Sequence, residues 1–229
     1  MKKPGKPQDV VPELKQQTPM QIDFSELTAY QRYKLMASLI VPRPIALVTT
    51  LSPEGVVNAA PFSMFNMLGE DPPIVMLSIN RVRDNGAVKD TARNILESNE
   101  YVVHLVDEGI AERMHRCGTY LPPDQSEIDL VGFTVAASRA VRPPRIVEAP
   151  VALECVLHEK IETASRYILI GRVLWMHARD ELIDIERHRV RLQNYFPVGR
   201  FGASFYTKTR ERFAIDDGAA ARPNEIDEM

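Results

Sequence analysis

A chain of 229 residues, 45% of them hydrophobic, is long enough to bury one large core, and its 28 basic and 31 acidic residues leave a net charge of −3. That interspersed balance excludes the basic field that nucleic acid or an anionic membrane surface requires, so the expected partner is a small molecule. The two cysteines, Cys117 and Cys155, lack the spacing of a zinc site or a disulfide framework and read as reduced thiols of a cytoplasmic protein.

The first stretch, rich in Pro, Lys and Gln, has no apolar core of the length a signal peptide needs. Residues 1–22 are expected to form a mobile arm, residues 23–215 a single domain, and the polar, acidic residues 216–229 a mobile tail. SELTAYQRYKLMASLI predicts a first helix, with Ser25 in position to cap it. PIALVTTL is β-branched and apolar, ends at the turn-forming SPEG, and returns as VVNAAPFSMFN, which predicts a hairpin. PIVMLSIN, from Pro73, has the composition of a buried strand, TARNILESN has helical spacing at Ala92, Ile95 and Leu96, and EYVVHLVD is a further strand. VALECVLHEKI alternates, with Val151, Leu153, Cys155 and Leu157 on one face and Glu154, His158 and Lys160 on the other. RYILIGRVLWMHA then returns to make a second hairpin. Many strands, few helices and one strand–helix–strand passage predict an antiparallel barrel rather than a doubly wound sheet.

Two stretches carry candidate chemistry. In RDNGAVKDTARN, Asp90 or Thr91 is placed to cap the coming helix, and that alone would explain the segment. Yet Arg81, Arg83 and Lys89 gather at a helix start, where free N–H groups and the dipole already favour negative charge, so the cations call for an anion such as a phosphate monoester. In NAAPFSMFN, Ala59, Ala60 and Ser63 leave room for a flat ring against the backbone, with Ser63 and Asn66 polar and Phe62 and Phe65 apolar; close packing of another strand would use the same residues.

Other chemistries find little support. VGRFGAS supplies only two glycines and is no dinucleotide fingerprint. Ser204 sits in no nucleophile elbow, the five histidines show no metal-ligand spacing and no metal is expected, and RHRVRLQ reads as a solvated face. Trp175 is expected in the barrel wall.

Taken together, RPIALVTTLSPEGVVNAAPFSMFN, PPIVMLSINR and KDTARNILESNEYVVHLV resemble the flavin reductase-like family over about Val41 to Phe213. The resemblance implies a mainly β (α+β) fold, an antiparallel Greek-key split β-barrel with a few flanking helices, binding FMN as a homodimer with the flavin near the interface. It places Thr49 and Thr50 near the flavin, and Ser63, Met64, Phe65 and Asn66 along the isoalloxazine ring. Ser78, Asn80 and Arg81 fall by the ribityl and phosphate, with Lys89 and Thr91 in the phosphate cradle; Asp90 is read as a cap or a partner for a nearby arginine. The implied activity is hydride transfer from NADH or NADPH through flavin N5 to flavin or a small acceptor, with no acid or base side chain required at that step. Near the C-terminus, NYFPVGRFGASFYTKT stands where many dedicated reductases carry a histidine-bearing motif. Its Arg200 and Tyr206 are candidates for the substrate pocket, or simply turn and packing residues. The same site would also serve a non-catalytic FMN carrier, store or sensor.

Overall fold

The computed structural model describes residues 19–82, 85–213 and 215; Arg83 and the expected acidic tail lie outside these, as does the expected N-terminal arm apart from residues 19–22. By its internal packing the chain divides into two units, one up to Ala37 and one from Ser38 onward. Among the described residues no helix is long and apolar enough to cross a membrane.

In the first unit the helix predicted from Ser25 begins later. Phe24–Glu26 is a separate turn of 3-10 helix, closed by Asp23, whose carboxylate accepts the Ser25 amide at 2.7 Å. Helix α1, Ala29–Leu39, starts instead at a reciprocal pair: the Gln31 side chain accepts the Thr28 amide at 2.8 Å, and Thr28 Oγ1 accepts the Gln31 amide at 3.3 Å. A Thr-x-x-Gln box out-competed the serine because it satisfies two end groups at once.

The second unit is built on seven antiparallel strands. They are β1 (Ala46–Leu51), β2 (Val57–Phe62), β3 (Phe65–Glu70), β4 (Pro73–Asn80), β5 (Glu100–Leu105), and, after two residue-pair strands β6 (Val135–Ala136) and β7 (Arg145–Ile146), the long β8 (Val151–Glu162) and β9 (Arg166–Ala178). Their order across the sheet is β2-β1-β5-β8-β9-β4-β3. The predicted hairpins form: Ala46 faces Phe62 across β1 and β2, and Ile161 faces Ile168 across β8 and β9. VVNAAPFSMFN, however, is not one strand. It breaks at Ser63–Met64, so that β2 forms one edge of the sheet and β3 the other, and the Met64 carbonyl accepts the Ser78 amide of β4 at 2.8 Å. A two-residue kink thus joins the sheet's opposite edges, which is how an antiparallel sheet curls into a split barrel.

The barrel interior holds Val48, Phe62, Phe65, Leu77, Ile79, Tyr101, Val103, Cys155 and Leu169. Helix α2, Asp90–Ser98, plugs it with Ala92 and Ile95 and ends on Asn99 in the left-handed region at φ 60°. On the outer face of β1 and β2, Leu47 and Ala59 pack with Met114 and Cys117 of the α3 region and Ile128 and Val131 of α4, where α3 is Ala111–Arg116 and α4 Glu127–Val131. β1 is therefore covered on both sides and is buried at five successive residues, its two threonines included.

The alternation predicted for β8 needs correction. Leu153, Cys155 and Leu157 do face the interior, but Glu154, expected on a wet face, is fully buried beneath the segment that precedes β8. Its carboxylate accepts the amides of Arg139, at 2.7 Å, and Ala140, and meets His177 Nε2 at 2.6 Å. Burial alone would raise its pKa, but these donors outweigh it and hold the carboxyl below the ordinary range. Trp175, expected in the barrel wall, is 41% exposed and lies under the Arg139 guanidinium, 4.2 Å from the ring centre.

The remaining elements are β10 (Ile183–Asp184) with β11 (Arg189–Val190), and the hairpin β12 (Val198–Gly202) with β13 (Phe205–Lys208).

Candidate functional site

The loop after β4, the start of α2, the edge strand β2 and the segment after α3 line an open cavity of about 750 Å³. That volume is of the size that holds a nucleotide-like ligand. Asn80, Lys89 and Thr91 line it on one side, Asn58, Ala60 and Phe62 on another, and Cys117, Tyr120 and Glu127 close a third.

Lys89 stands immediately before α2 in an extended conformation and makes no side-chain cap, and the helix begins at Asp90. The cap expected from Asp90 or Thr91 is thus absent. Asp90 is in the first turn and ion-paired with Arg93 rather than with Lys89. Among the described residues no carboxylate pairs with Lys89. Burial, and behind it the charge of Arg166, pulls its ammonium below the usual lysine value. A half-buried cation at the positive end of a helix, with no ion-pair partner among the described residues, is a standing demand for an anion.

Thr91 is 2% exposed, and its Oγ1 accepts Asn58 Nδ2 at 2.9 Å. That bond leaves the threonine proton available to an acceptor in the cavity. Asn80 is turned by a bond from its Nδ2 to the Arg81 carbonyl at 2.8 Å. Arg81 does not reach the cavity wall: it pairs with Glu162, donates to Tyr167 Oη at 2.8 Å and covers that ring at 4.5 Å.

The remaining sequence candidates lie elsewhere. Thr49 and Thr50 are wholly buried in β1, the first donating to the Pro144 carbonyl at 2.6 Å and the second accepting Asn94 Nδ2 at 3.0 Å. Ser63 accepts the Arg43 Nε at 3.3 Å, Met64 and Ser78 are joined through their backbones, Phe65 is buried in the barrel core, and Asn66 is exposed on β3. Arg200 and Tyr206 do come together, with the guanidinium 4.7 Å from the ring centre. The Tyr206 hydroxyl meets His115 Nδ1 at 2.8 Å, and neither Arg200 nor Tyr206 lines the cavity.

Sequence reading missed the wall formed after α3. Gly118 lets the chain turn tightly off α3, since a Cβ there would sit 3.1 Å from the His115 carbonyl, while its 3.6 Å separation from Pro61 of β2 would be ordinary contact. Tyr120, 83% exposed, stands at the rim. The Cys117 thiol is pushed up to about 12 by burial and by Glu127, so it is inert as a nucleophile. Asn58 was within a noticed motif but not singled out. Glu127 gave no signal, because only the fold brings it to β2.

A split barrel whose edge strand β2 and the start of α2 border one cavity is an architecture that can hold a flat, anionic cofactor. The comparisons with known proteins agree: the chain belongs to the flavin reductase like domain family, which matches residues 36–193. It is a flavin oxidoreductase-like enzyme. It is 42% identical to a 2-nitrobenzoate 2-nitroreductase from Pseudomonas fluorescens, covering 86% of this chain and 95% of that one with a TM-score of 0.79. It is 35% identical to nitrilotriacetate monooxygenase component B from Bacillus cereus, covering 87% and 100% with a TM-score of 0.82. A split barrel domain protein from Shewanella frigidimarina shares the fold at 20% identity, with 86% and 99% covered and a TM-score of 0.73.

Proposed function

We propose that this protein binds FMN in the cavity at the start of α2 and uses it, in the cytoplasm, to pass hydride from NADH or NADPH to flavin or another small acceptor. The observation that carries this reading is the half-buried Lys89 ammonium, unpaired among the described residues, beside the Thr91 hydroxyl on the wall of a cavity of about 750 Å³. One cradle at one helix start suits a monophosphate, which favours FMN over FAD. When bound, the flavin supplies the hydride chemistry.

The chain's own groups do the positioning. Lys89, the Thr91 hydroxyl and the first-turn amides of α2 hold the phosphate, and Asn58 fixes the threonine. Ala60 and Phe62, on β2, leave a smooth wall for the ring. Of the other family-implied contacts, Ser63, Met64, Phe65 and Asn66 lie on or beside the kink that follows β2, where a second subunit would bring them to the flavin. Likeness to a nitroreductase and to a monooxygenase component supports a small acceptor.

The test is equilibrium binding of FMN and riboflavin to the wild type and Lys89→Ala. FMN affinity is expected to fall about ten- to a hundredfold, the scale of one charge-assisted bond, with riboflavin little changed. Equal losses for the two ligands would place Lys89 outside the phosphate site.

A further inference from the structure

Glu127 faces the same cavity and has no part in holding a phosphate. It is 8% exposed, and its Oε2 accepts the Ala59 amide of edge strand β2 at 2.9 Å. The preceding Ser126 donates to the Val57 carbonyl at 2.6 Å, so the start of α4 is fixed to β2 at two points. Among the described residues no cation is ion-paired with Glu127, and Asp90, which repels it, is itself neutralised by Arg93. Burial first, and then Asp90, raises the carboxyl above its usual range, although the Ala59 amide and its own amide work the other way.

Among the described residues the cavity wall therefore carries a half-buried ammonium with no paired carboxylate and a buried carboxylate with no paired cation, and these two are not paired with each other. Asn58 holds Thr91, and its neighbour Ala59 holds Glu127. Successive strand residues are only about 3.3 Å apart along the strand, so the Thr91 hydroxyl and the Glu127 carboxylate are tethered to adjacent points of β2. A bare anion at Lys89 would leave Glu127 repelled, and a bare cation would leave Lys89 unsatisfied. A ligand with an anionic group followed within a few bonds by neutral hydroxyl donors meets both demands.

We propose that Glu127 is a ligand-binding residue that accepts hydrogen bonds from hydroxyl groups on the chain joining the ligand's phosphate to its ring. This rests on the flavin reading above, and it names the part of the ligand that is read next to the phosphate: a polyhydroxylated chain.

The test compares riboflavin with lumiflavin, which has the same ring and a methyl group in place of the hydroxylated chain, by flavin fluorescence titration. The wild type should hold riboflavin at least about tenfold more tightly, since a charge-assisted bond supplies that factor. Glu127→Gln keeps an oxygen for the Ala59 amide but removes the charge. It should lower riboflavin affinity about tenfold and leave lumiflavin unchanged. Equal wild-type affinities for riboflavin and lumiflavin would overturn the proposal without any variant, as would equal losses for both in E127Q. Failure of FMN, riboflavin and lumiflavin all to bind the wild type would overturn the flavin reading itself, and this assignment with it.

Discussion

Lys89 is held in a state that water would not impose on it. Its ammonium is destabilised by burial and by Arg166, so binding of an anion that stabilises it should be coupled to proton uptake by Lys89 as pH climbs toward the lysine range. FMN affinity is expected to fall on the alkaline side earlier than an ordinary lysine would dictate, and Lys89→Ala to abolish that limb; a pH titration of FMN binding reads both. His104 shows how a titratable group can serve structure alone. Its Nδ1 meets the Leu47 carbonyl at 2.9 Å, and its Nε2 meets the Ile146 amide at 2.8 Å. A neutral ring donating from Nδ1 and accepting at Nε2 satisfies both partners, and burial lowers its pKa to about 4. The folded form resists protonation while the unfolded chain takes a proton below about 6.5, so the stabilisation is whole above that pH and is lost as pH falls from there to about 4. The loss totals about 3 kcal/mol. Urea midpoints measured across this window should show that slope, and a His104→Gln protein should show a shallower one. Lys89 and Thr91 were legible as cradle candidates because cations and a hydroxyl sit together in the sequence beside a helix start. Glu127 and Tyr120 were not, since their role arises from contacts with β2 and the cavity across long sequence separations.

At the scale of elements, α4 does work that its five residues do not suggest. β2 is an edge strand, and Ser126 and Glu127 occupy the Val57 carbonyl and Ala59 amide that a neighbouring strand would otherwise take. Ser126 also caps α4 by accepting the Ile128 amide. Ser126→Ala should therefore destabilise the protein by about 1–2 kcal/mol in chemical denaturation, at the upper end for a lost cap. β5 and β9 meet at another close approach. A Cβ on Gly171 would fall 1.8 Å from Tyr101 Oη, and that hydroxyl is buried without a hydrogen-bond partner among the described residues. Gly171→Ala should cost about 1–3 kcal/mol through overpacking, whereas Tyr101→Phe should be neutral or stabilising, and thermal melts of the two separate these effects. Both hairpins and α2 were readable from periodicity and turn residues. The break at Ser63–Met64 was not, because apolar residues continue through it and only the closure of the sheet requires a kink.

For the molecule as a whole, the seven-stranded order and the cavity beside β2 frame the proposed flavin site, and the surface bears on assembly. Met67 and Leu68 on edge strand β3, and Leu174 and Met176 on β9, are exposed apolar side chains. We propose that they lie in a homodimer interface and that a second copy completes the flavin site, as the resemblance implies. Sedimentation should give a dimer for the wild type and a monomer for Met67→Asp/Leu68→Asp, with weaker FMN binding in the latter. The barrel class was legible in the count and spacing of strands, but the strand order was not, because pairing of β5 with β1 and β8 is fixed by distant partners. The central claim is that flavin held in this cavity is reduced by a nicotinamide nucleotide. Its most direct measurement is the visible flavin absorbance of the FMN-loaded protein, without oxygen, on adding NADH or NADPH. Bleaching with stoichiometric consumption of either nucleotide is the predicted result; a yellow protein that neither nucleotide bleaches would contradict it and leave a flavin carrier, store or sensor.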